Sequence, residues 1–560
     1  MFSKNIDYKK FLNSNLFYLG LLIILTIPLW LDLLGDHLIQ GHDAFAGFIR
    51  AVCMERYWGN GQLLVRWAPD VNFGYGSPMF NFYPPFFYYA TLLLSKITQN
   101  TVLAMNLTCV LFWVLSGMGI YLLAKEFWGN KGAFLSAILY VYSPYYVQDL
   151  YVRGAFSEFS SFLILPFLFL SLYKINQKTK TRYIILGIAS AFISILTHGM
   201  GIFFIVIAFF YVLFLFYLKK DHHAFLIGIF VLLTGFMLSA FYWLPAIEET
   251  KYLNLNFLIS MRYDFHKNFI SLGQLFCVPW DHSKDIDGLS LQIGLVQYVL
   301  LLLSLLLPFV IFKNHSDLKR HYFFFLTAGL VTTILTLSAS NVLWEHLNTL
   351  RFVQLPWRFL TIVTFVVSLL GGGAVMLFKN KTVSSLFLTA VTLLIILSPI
   401  GYYRSGHFKV IDQLAVKNNL SKYVFLGEGE RTPQWIKDPP LTIPSQKLEI
   451  IRGNGQTTQL RSNSPIDNLF ELTCDQPILL CFHTFYFPGW RVFIDGKETK
   501  IYPDNIYGQI VFIAPSGEHA LRIIFGSTPI RIVGMIISWI GAILALSGII
   551  CFKFLYKNII

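Results

Sequence analysis

Charge is what this sequence has least of. Asp, Glu, Lys and Arg make up 13% of 560 residues, against 55% hydrophobic residues and a mean hydropathy of +0.59. A soluble globular domain carries about a quarter charged residues, so a soluble fold is excluded. The chain also lacks a phosphate-cradling Walker loop, a G-x-G-x-x-G turn and an H-E-x-x-H helix, which argues against nucleotide-driven transport and zinc-protease chemistry. Six cysteines are scattered without C-x-x-C spacing, which indicates neither a zinc site nor a disulfide framework. A Cys474–Cys481 bridge would close a tight loop over the apolar Ile478-Leu479-Leu480, so free buried thiols are expected. There is no internal repeat and no low-complexity tract.

What is present is a series of long apolar runs. A membrane-crossing helix needs about 20 apolar residues, and twelve spans are expected, near 14–34, 101–122, 132–148, 159–174, 183–198, 200–218, 224–244, 294–312, 322–338, 358–378, 383–400 and 528–552. The first follows Lys4, Lys9 and Lys10 with no small-residue cleavage site after it, and reads as an uncleaved span. The formal net charge of +13 resides mainly in short links between spans, where basic residues set topology and do not imply nucleic acid. The segment 83–97 is apolar but short and opens with Pro84-Pro85. If it re-enters or lies at the interface, every basic link and both termini share the cytoplasmic side, as the positive-inside rule requires.

That topology sends nearly all polar, motif-bearing sequence to the exterior. Residues 1–400 form the membrane domain, with a first exterior loop over 35–100; 401–527 form an exterior domain, and 528–560 the last span and a cytoplasmic tail. Within 401–527 apolar and polar residues alternate, as in Trp490-Arg491-Val492-Phe493-Ile494, and turns are signalled at Asp495-Gly496 and Ser516-Gly517. Short strands at this spacing predict a β-sandwich. The fold class is a polytopic α-helical membrane protein with an exterior β-rich domain.

The candidate chemistry lies in the exterior loops. After His42-Asp43, the residues Phe45, Phe48, Ile49 and Val52 follow helical spacing and predict an amphipathic helix on the outer leaflet, with Asp43 and Arg50 on its polar face. Asp43 is either a helix N-cap or a functional carboxylate. Arg153 and Glu158 sit between two spans, where unpaired charge is costly, so they pair with each other or face the same cleft as Asp43. His198 ends a span and reads either as a satisfied polar group or as a ligand contact. In Gln354-Leu355-Pro356-Trp357-Arg358, the tryptophan fits the interfacial belt and Arg358 either snorkels or holds a lipid phosphate in its planar fork. Arg351 stands near enough to assist. The loop 245–292 carries Glu248, Glu249, Arg262, Asp264, His266, Asp281, His282, Asp285 and Asp287 without assignable pattern, Asp281-His282 being a weak metal hint.

Gly41-His42-Asp43 with Phe48-Ile49-Arg50, Asn72-Phe73-Gly74-Tyr75-Gly76, Asn81-Phe82-Tyr83-Pro84-Pro85, Arg153-Gly154 with Glu158, and Gln354 to Arg358, in this order, resemble the GT-C superfamily of integral-membrane glycosyltransferases, and within it the bacterial YfhO-like proteins. The resemblance extends to Pro488-Gly489-Trp490-Arg491, Ile494-Asp495-Gly496-Lys497 and Pro515-Ser516-Gly517-Glu518-His519. It implies an inverting sugar transfer at the exterior face of the bacterial cytoplasmic membrane, from a polyprenyl-phosphate-linked donor to an envelope glycan, lipid or protein. The family's acidic positions fall on Asp43 and Glu158 as catalytic residues; His42, Arg50, Tyr83, Arg153, His198, Gln354, Trp357 and Arg358 are the expected substrate contacts. A single acid at Asp43, where many members have a pair, leaves a divalent metal without a clear ligand set. Some proteins of this appearance carry a name alluding to 6-pyruvoyl-tetrahydropterin synthase, and nothing in the sequence supports pterin chemistry. Two other readings remain: a transporter or flippase of a lipid-linked glycan, and a non-catalytic membrane scaffold. Charges gathered at helix ends rather than at the bilayer midplane favour the enzyme.

Overall fold

The structure is a computed structural model that describes residues 14–254, 264–276, 289–311, 316–351, 353–403, 408–425, 432–460 and 464–557. All twelve apolar stretches are helical. They form α1 (Asn15–Trp30), α4 (Thr101–Val141), α6 (Phe156–Gln177), α7 (Thr181–Thr197), α8 (Gly201–Lys219), α9 (His222–Leu238) with α10 (Ala240–Glu248), α11 (Leu295–Ser304), α12 (Ser316–Thr336), α13 (Leu360–Gly371), α14 (Lys381–Leu397) and α15 (Pro529–Lys557). Between them lie α2 (Ala44–Tyr57), α3 (Phe86–Thr98) and α5 (Pro144–Tyr151). The stretch at 101–122 and most of that at 132–148 run together in α4, kinked at Gly129, whose φ of +64° is open to glycine, and the second continues past Tyr142-Ser143 into α5. Among the described residues six helices are long and apolar enough to cross a membrane unaided, and α9 with the helix after it, bent by 62°, makes a seventh. Three further apolar helices have 10 to 17 residues. Helix starts follow their capping side chains: Asn100 accepts from the Leu103 N–H at 2.9 Å and Asp221 from that of Ala224 at 3.0 Å.

The ambiguous segment is α3, 13 residues long. At about 1.5 Å per residue it reaches about 20 Å, short of the ~30 Å hydrocarbon core.

The β-rich domain is a sandwich of two antiparallel sheets. One has the strand order β4-β5-β10-β7-β8 and the other β3-β6-β9, with β3 Leu448–Arg452, β4 Gly455–Gln459, β5 Asp467–Cys474, β6 Ile478–Phe485, β7 Trp490–Ile494, β8 Lys497–Thr499, β9 Gln509–Ala514 and β10 Gly517–Phe525. Phe470, Leu472, Val492, Leu521 and Ile523 from the first sheet meet Leu448, Leu480, Phe482, Ile510 and Phe512 from the second in one core. Asp495-Gly496 has φ of +48° and +78°, the left-handed pair of a tight hairpin turn. Ser516-Gly517, by contrast, carries the chain from one sheet to the other. Cys474 and Cys481 are free and buried, their thiols donating to the Pro515 carbonyl and the Gln509 side chain.

The first loop is built into this sandwich. Trp67 lies 5.6 Å from Trp490 and 5.2 Å from Phe525, Tyr75 stacks 5.3 Å from Phe485, and Phe82 meets Phe487 at 5.9 Å. Lys447 ties the Gly74 carbonyl (2.7 Å) to that of His483 (2.9 Å). A two-stranded ladder, β1 (His37–Ile39) on β2 (Phe408–Val410), joins the loop's start to the chain after α14. The aromatic run 72–89 is therefore a fixed wall between bundle and sandwich.

The loops sort into two groups by contact. Those assigned to the exterior touch one another through Asp43–Arg153, Asn81–Glu249, Glu158–Arg358 and Leu253–Pro433. Basic links assigned to the cytoplasm meet separately, as Lys174–Glu126, Lys219–Gln177 and Lys131–Ser385. This is the segregation that alternating loops produce.

Candidate functional site

The site begins at the sharp link between α5 and α6. Asp149 and Arg153 are four apart, on one helix face and its continuation, and Gly154 then turns the chain with φ of +65°. Into that turn packs the first exterior loop. The His42 N–H donates to the Val152 carbonyl at 3.1 Å and the Asp43 N–H to that of Arg153 at 2.7 Å. A Cβ on Gly154 would lie 2.6 Å from the Cβ of Ala44 and 2.7 Å from its nitrogen, closer than any real contact. Gly154→Ala is thus expected to push the His42-Asp43 turn off Arg153, costing about 1–3 kcal/mol; thermal unfolding against Gly129→Ala, where a Cβ meets nothing within 4 Å, separates this clash from the shared positive-φ penalty.

Beneath the turn the charges converge on one carboxylate. Glu158, 1% exposed, accepts from the Tyr145 hydroxyl at 2.6 Å and from Arg153 Nη1 at 2.8 Å. Arg358 Nε stands 3.5 Å and His198 Nε2 4.0 Å from the same Oε2. Arg153 also pairs with the fully buried Asp149, and its guanidinium lies 4.4 Å from the Trp357 ring centroid. Arg358 Nη1 donates to the Val353 carbonyl (2.7 Å) and to Gln354 (3.0 Å), the latter on a backbone turn with φ of +69°. Two carboxylates and two guanidiniums balance, and a protonated His198 would add a positive charge. The Met200 N–H donates to His198 Nδ1 at 3.3 Å, which leaves the proton of a neutral ring on Nε2, facing Glu158.

His198 also lines a cavity of about 370 Å³ whose other walls are mostly apolar, among them Phe82, Phe203, Tyr242, Trp243 and Ile247. His198 thus joins the charged cluster to an apolar chamber.

Asp43 occupies the N-cap position of α2, yet its side chain makes no capping bond. The carboxylate is exposed and has no partner among the described residues; His42 beside it is exposed too. The helix that follows departs from the expected surface helix. Phe48, Ile49 and Val52 are buried as the stripe requires, but Phe45 is exposed, and Arg50, expected on the polar face, is 6% exposed. Its guanidinium sits 4.0 Å over the Tyr83 ring and 5.5 Å from that of Phe425. The physical reason is that α2 is covered on its second face by the loop wall and the chain from 408 to 425, so a cation–π partner replaces water. Arg50 and Tyr83 accordingly hold each other.

The structure brings Arg153, Glu158, His198, Gln354, Trp357 and Arg358 together and adds Asp149 and Tyr145, which the sequence reading does not single out. The i, i+4 spacing of Asp149 to Arg153 was the available signal. The sequence reading also left Glu249 unassigned; that carboxylate is buried against Arg531, Asn81 and Thr528. Asp264 and His266 pair at 2.7 Å at the surface. Arg262, Asp281, His282, Asp285, Asp287 and the Arg351 side chain lie outside the described residues. Among the described residues no three His, Cys, Asp or Glu side chains converge to hold a metal ion.

No curated protein matches the sequence. Solved structures with some likeness include the arabinofuranosyltransferase AftD from Mycobacteria (12% identity, 70% of this chain and 27% of that chain, TM-score 0.49). Another is the oligosaccharyltransferase AglB from Archaeoglobus fulgidus with an inhibitory peptide and a dolichol-phosphate (15%, 77% and 57%, 0.46). A third is ArnT from Cupriavidus metallidurans bound to undecaprenyl phosphate (13%, 68% and 64%, 0.37). The chain spans less than two thirds of the length of each, and at these TM-scores the functional reading rests on the site itself. Residues 80–405, more than half of the sequence, match the model of a membrane-protein family described as the 6-pyruvoyl-tetrahydropterin synthase related domain. The protein belongs to that family.

Proposed function

We propose that the protein is an inverting GT-C-type glycosyltransferase that moves a sugar from a polyprenyl-phosphate-linked donor to an envelope acceptor on the exterior face of the cytoplasmic membrane. The observation that carries this reading is that the turn bearing the exposed Asp43 carboxylate is bound through its backbone to the Arg153 link, whose Glu158–His198–Arg358 cluster reaches an apolar cavity through His198. A lipid-phosphate sugar needs an apolar chamber for its chain, cations for its phosphate and a base for the acceptor. Each is supported by a group at this site.

In the proposed step the acceptor hydroxyl oxygen attacks the anomeric carbon as the bond from that carbon to the phosphate oxygen breaks. The hydroxyl proton passes to the Asp43 carboxylate. The polyprenyl phosphate leaves with the electron pair, and Arg358 with His198 stabilises the charge growing on it. A single displacement inverts the configuration. No general acid is required, because the leaving group is already a phosphate. Glu158 acts from behind: it is the shared counter-ion that sets the two guanidiniums and the imidazole, and its oxygens are already occupied by Tyr145 and Arg153. The family's name notwithstanding, no feature of the site suits a pterin.

Mass spectrometry of envelope glycolipids and lipid-linked sugars in cells with and without the protein tests this. Loss of one glycosylated species with accumulation of the polyprenyl-linked donor supports transfer, and the missing mass gives the sugar. Accumulation of a complete glycan on the cytoplasmic leaflet with no change in donor would instead make the protein a flippase.

A further inference from the structure

A second charged centre lies apart from the site just described, where α15 enters the bundle below the sandwich. Glu249, 1% exposed, is bound by Arg531 through Nε (3.1 Å) and Nη2 (2.8 Å), by Asn81 (2.6 Å) and by Thr528 (2.5 Å). Arg66 joins through Asn81 Oδ1 at 2.9 Å and the Phe241 carbonyl at 2.6 Å. The centre therefore holds two guanidiniums against one carboxylate. Arg531 spends its remaining donors on the Gly526 and Pro488 carbonyls, whereas the other N–H groups of Arg66 have no partner among the described residues. Burial, with the charge of Arg531 next to it, pushes the Arg66 guanidinium down to about 10, the behaviour of a cation short of anions.

Both arginines line a cavity of about 420 Å³. Its other lining is largely apolar: Ile532, Met535 and Ile536 on the first turns of α15, and Leu63 with Leu64 on the first loop. Leu63 is 74% exposed, Ile532 50% and Ile536 53%. Ile532 and Ile536 lie on a helix apolar enough to cross the bilayer, where exposed side chains meet lipid. The cavity is cationic at its inner end and opens along an acyl-chain surface at its outer end, which is the shape and charge order of an anionic amphiphile.

We propose that this cavity binds the phosphate head of an anionic phospholipid of the surrounding leaflet, with Arg66 as the principal contact and the chains lying along Ile532, Met535 and Ile536. The bound lipid supplies the negative charge that the pair of arginines lacks, and holds Asn81, hence Phe82 and the loop wall, in place. It stands independently of the sugar-transfer reading.

The test uses the full-length protein in detergent micelles, with native mass spectrometry and thermal unfolding as readouts. Dioleoyl phosphatidylglycerol is titrated in parallel with dioleoyl phosphatidylcholine, and with inorganic phosphate. A one-to-one phosphatidylglycerol adduct that raises Tm, at least tenfold weaker for phosphatidylcholine, is expected. Arg66→Met is expected to weaken the adduct at least tenfold. Because that variant also loses the Asn81 bond, Met535→Trp, which fills the apolar end and leaves the charges alone, is tested beside it and is expected to lose the adduct while keeping the unliganded Tm. Equal binding of the two lipids, or unchanged phosphatidylglycerol binding in both variants, would overturn the proposal. So would full competition by inorganic phosphate, which would mark a free-anion site.

Discussion

Asp43→Asn is expected to lower sugar transfer by about 10²–10⁴-fold, the range of a lost general base, with little change in stability. The carboxylate is exposed and makes no capping bond, and no hydrogen bond or ion pair among the described residues, so its replacement by an isosteric amide removes a proton acceptor and leaves the fold's contacts in place. Asparagine also serves as an N-cap as well as aspartate does, which closes the one structural route to a phenotype. The measurement is turnover by the purified protein in proteoliposomes carrying the polyprenyl-linked donor, beside Tm of the same preparation. A variant with wild-type turnover would remove Asp43 from the chemistry and place the acceptor's base elsewhere in the protein.

Arg153→Met is expected to act in the opposite way, through folding. It strips the bound cation from Glu158 and Asp149, both essentially inaccessible to water, and uncompensated buried charge costs about 3–5 kcal/mol. Arg358 is at 3.5 Å and cannot serve both carboxylates. The diagnostic is recovery: adding Glu158→Gln and Asp149→Asn removes the orphaned charges and is expected to restore part of the lost Tm, since deleting a whole buried ion cluster costs less than breaking it. Failure of the triple variant to regain stability would show that packing against Trp357, not charge, is what Arg153 contributes.

The architecture was legible where a single physical rule dominates. Apolar length located all twelve helical stretches, and period-two alternation with Asp495-Gly496 located the sandwich. At the site, the cost of lone charge near a membrane left Arg153 and Glu158 either to pair or to share a cleft with Asp43, and they pair. What the sequence concealed was contact across long separations. Arg50 sits where helical periodicity alone puts a solvent-facing side chain, and only the arrival of Tyr83 and Phe425 turns that face inward. Ser516-Gly517 reads as a hairpin turn because composition reports the bend and not which sheet the next strand joins. Asp149 stands just past the span at 132–148 and belongs to no motif, so only its i, i+4 spacing to Arg153 marks it.

One consequence concerns the order of synthesis. Trp67, Tyr75 and Phe82 belong to the same core as Phe482, Trp490 and Phe525, and Asn81 to the same ion cluster as Arg531. The loop that carries Asp43 is made among the first hundred residues, yet its packing partners leave the ribosome more than 400 residues later. At about 5–20 residues per second the loop waits for at least some 20 seconds, inserted but unsupported. A nascent or prematurely terminated chain would therefore hold Trp67, Tyr75 and Phe82 without the sandwich they pack against. The last strand and last span complete a core and an ion cluster that the first loop begins.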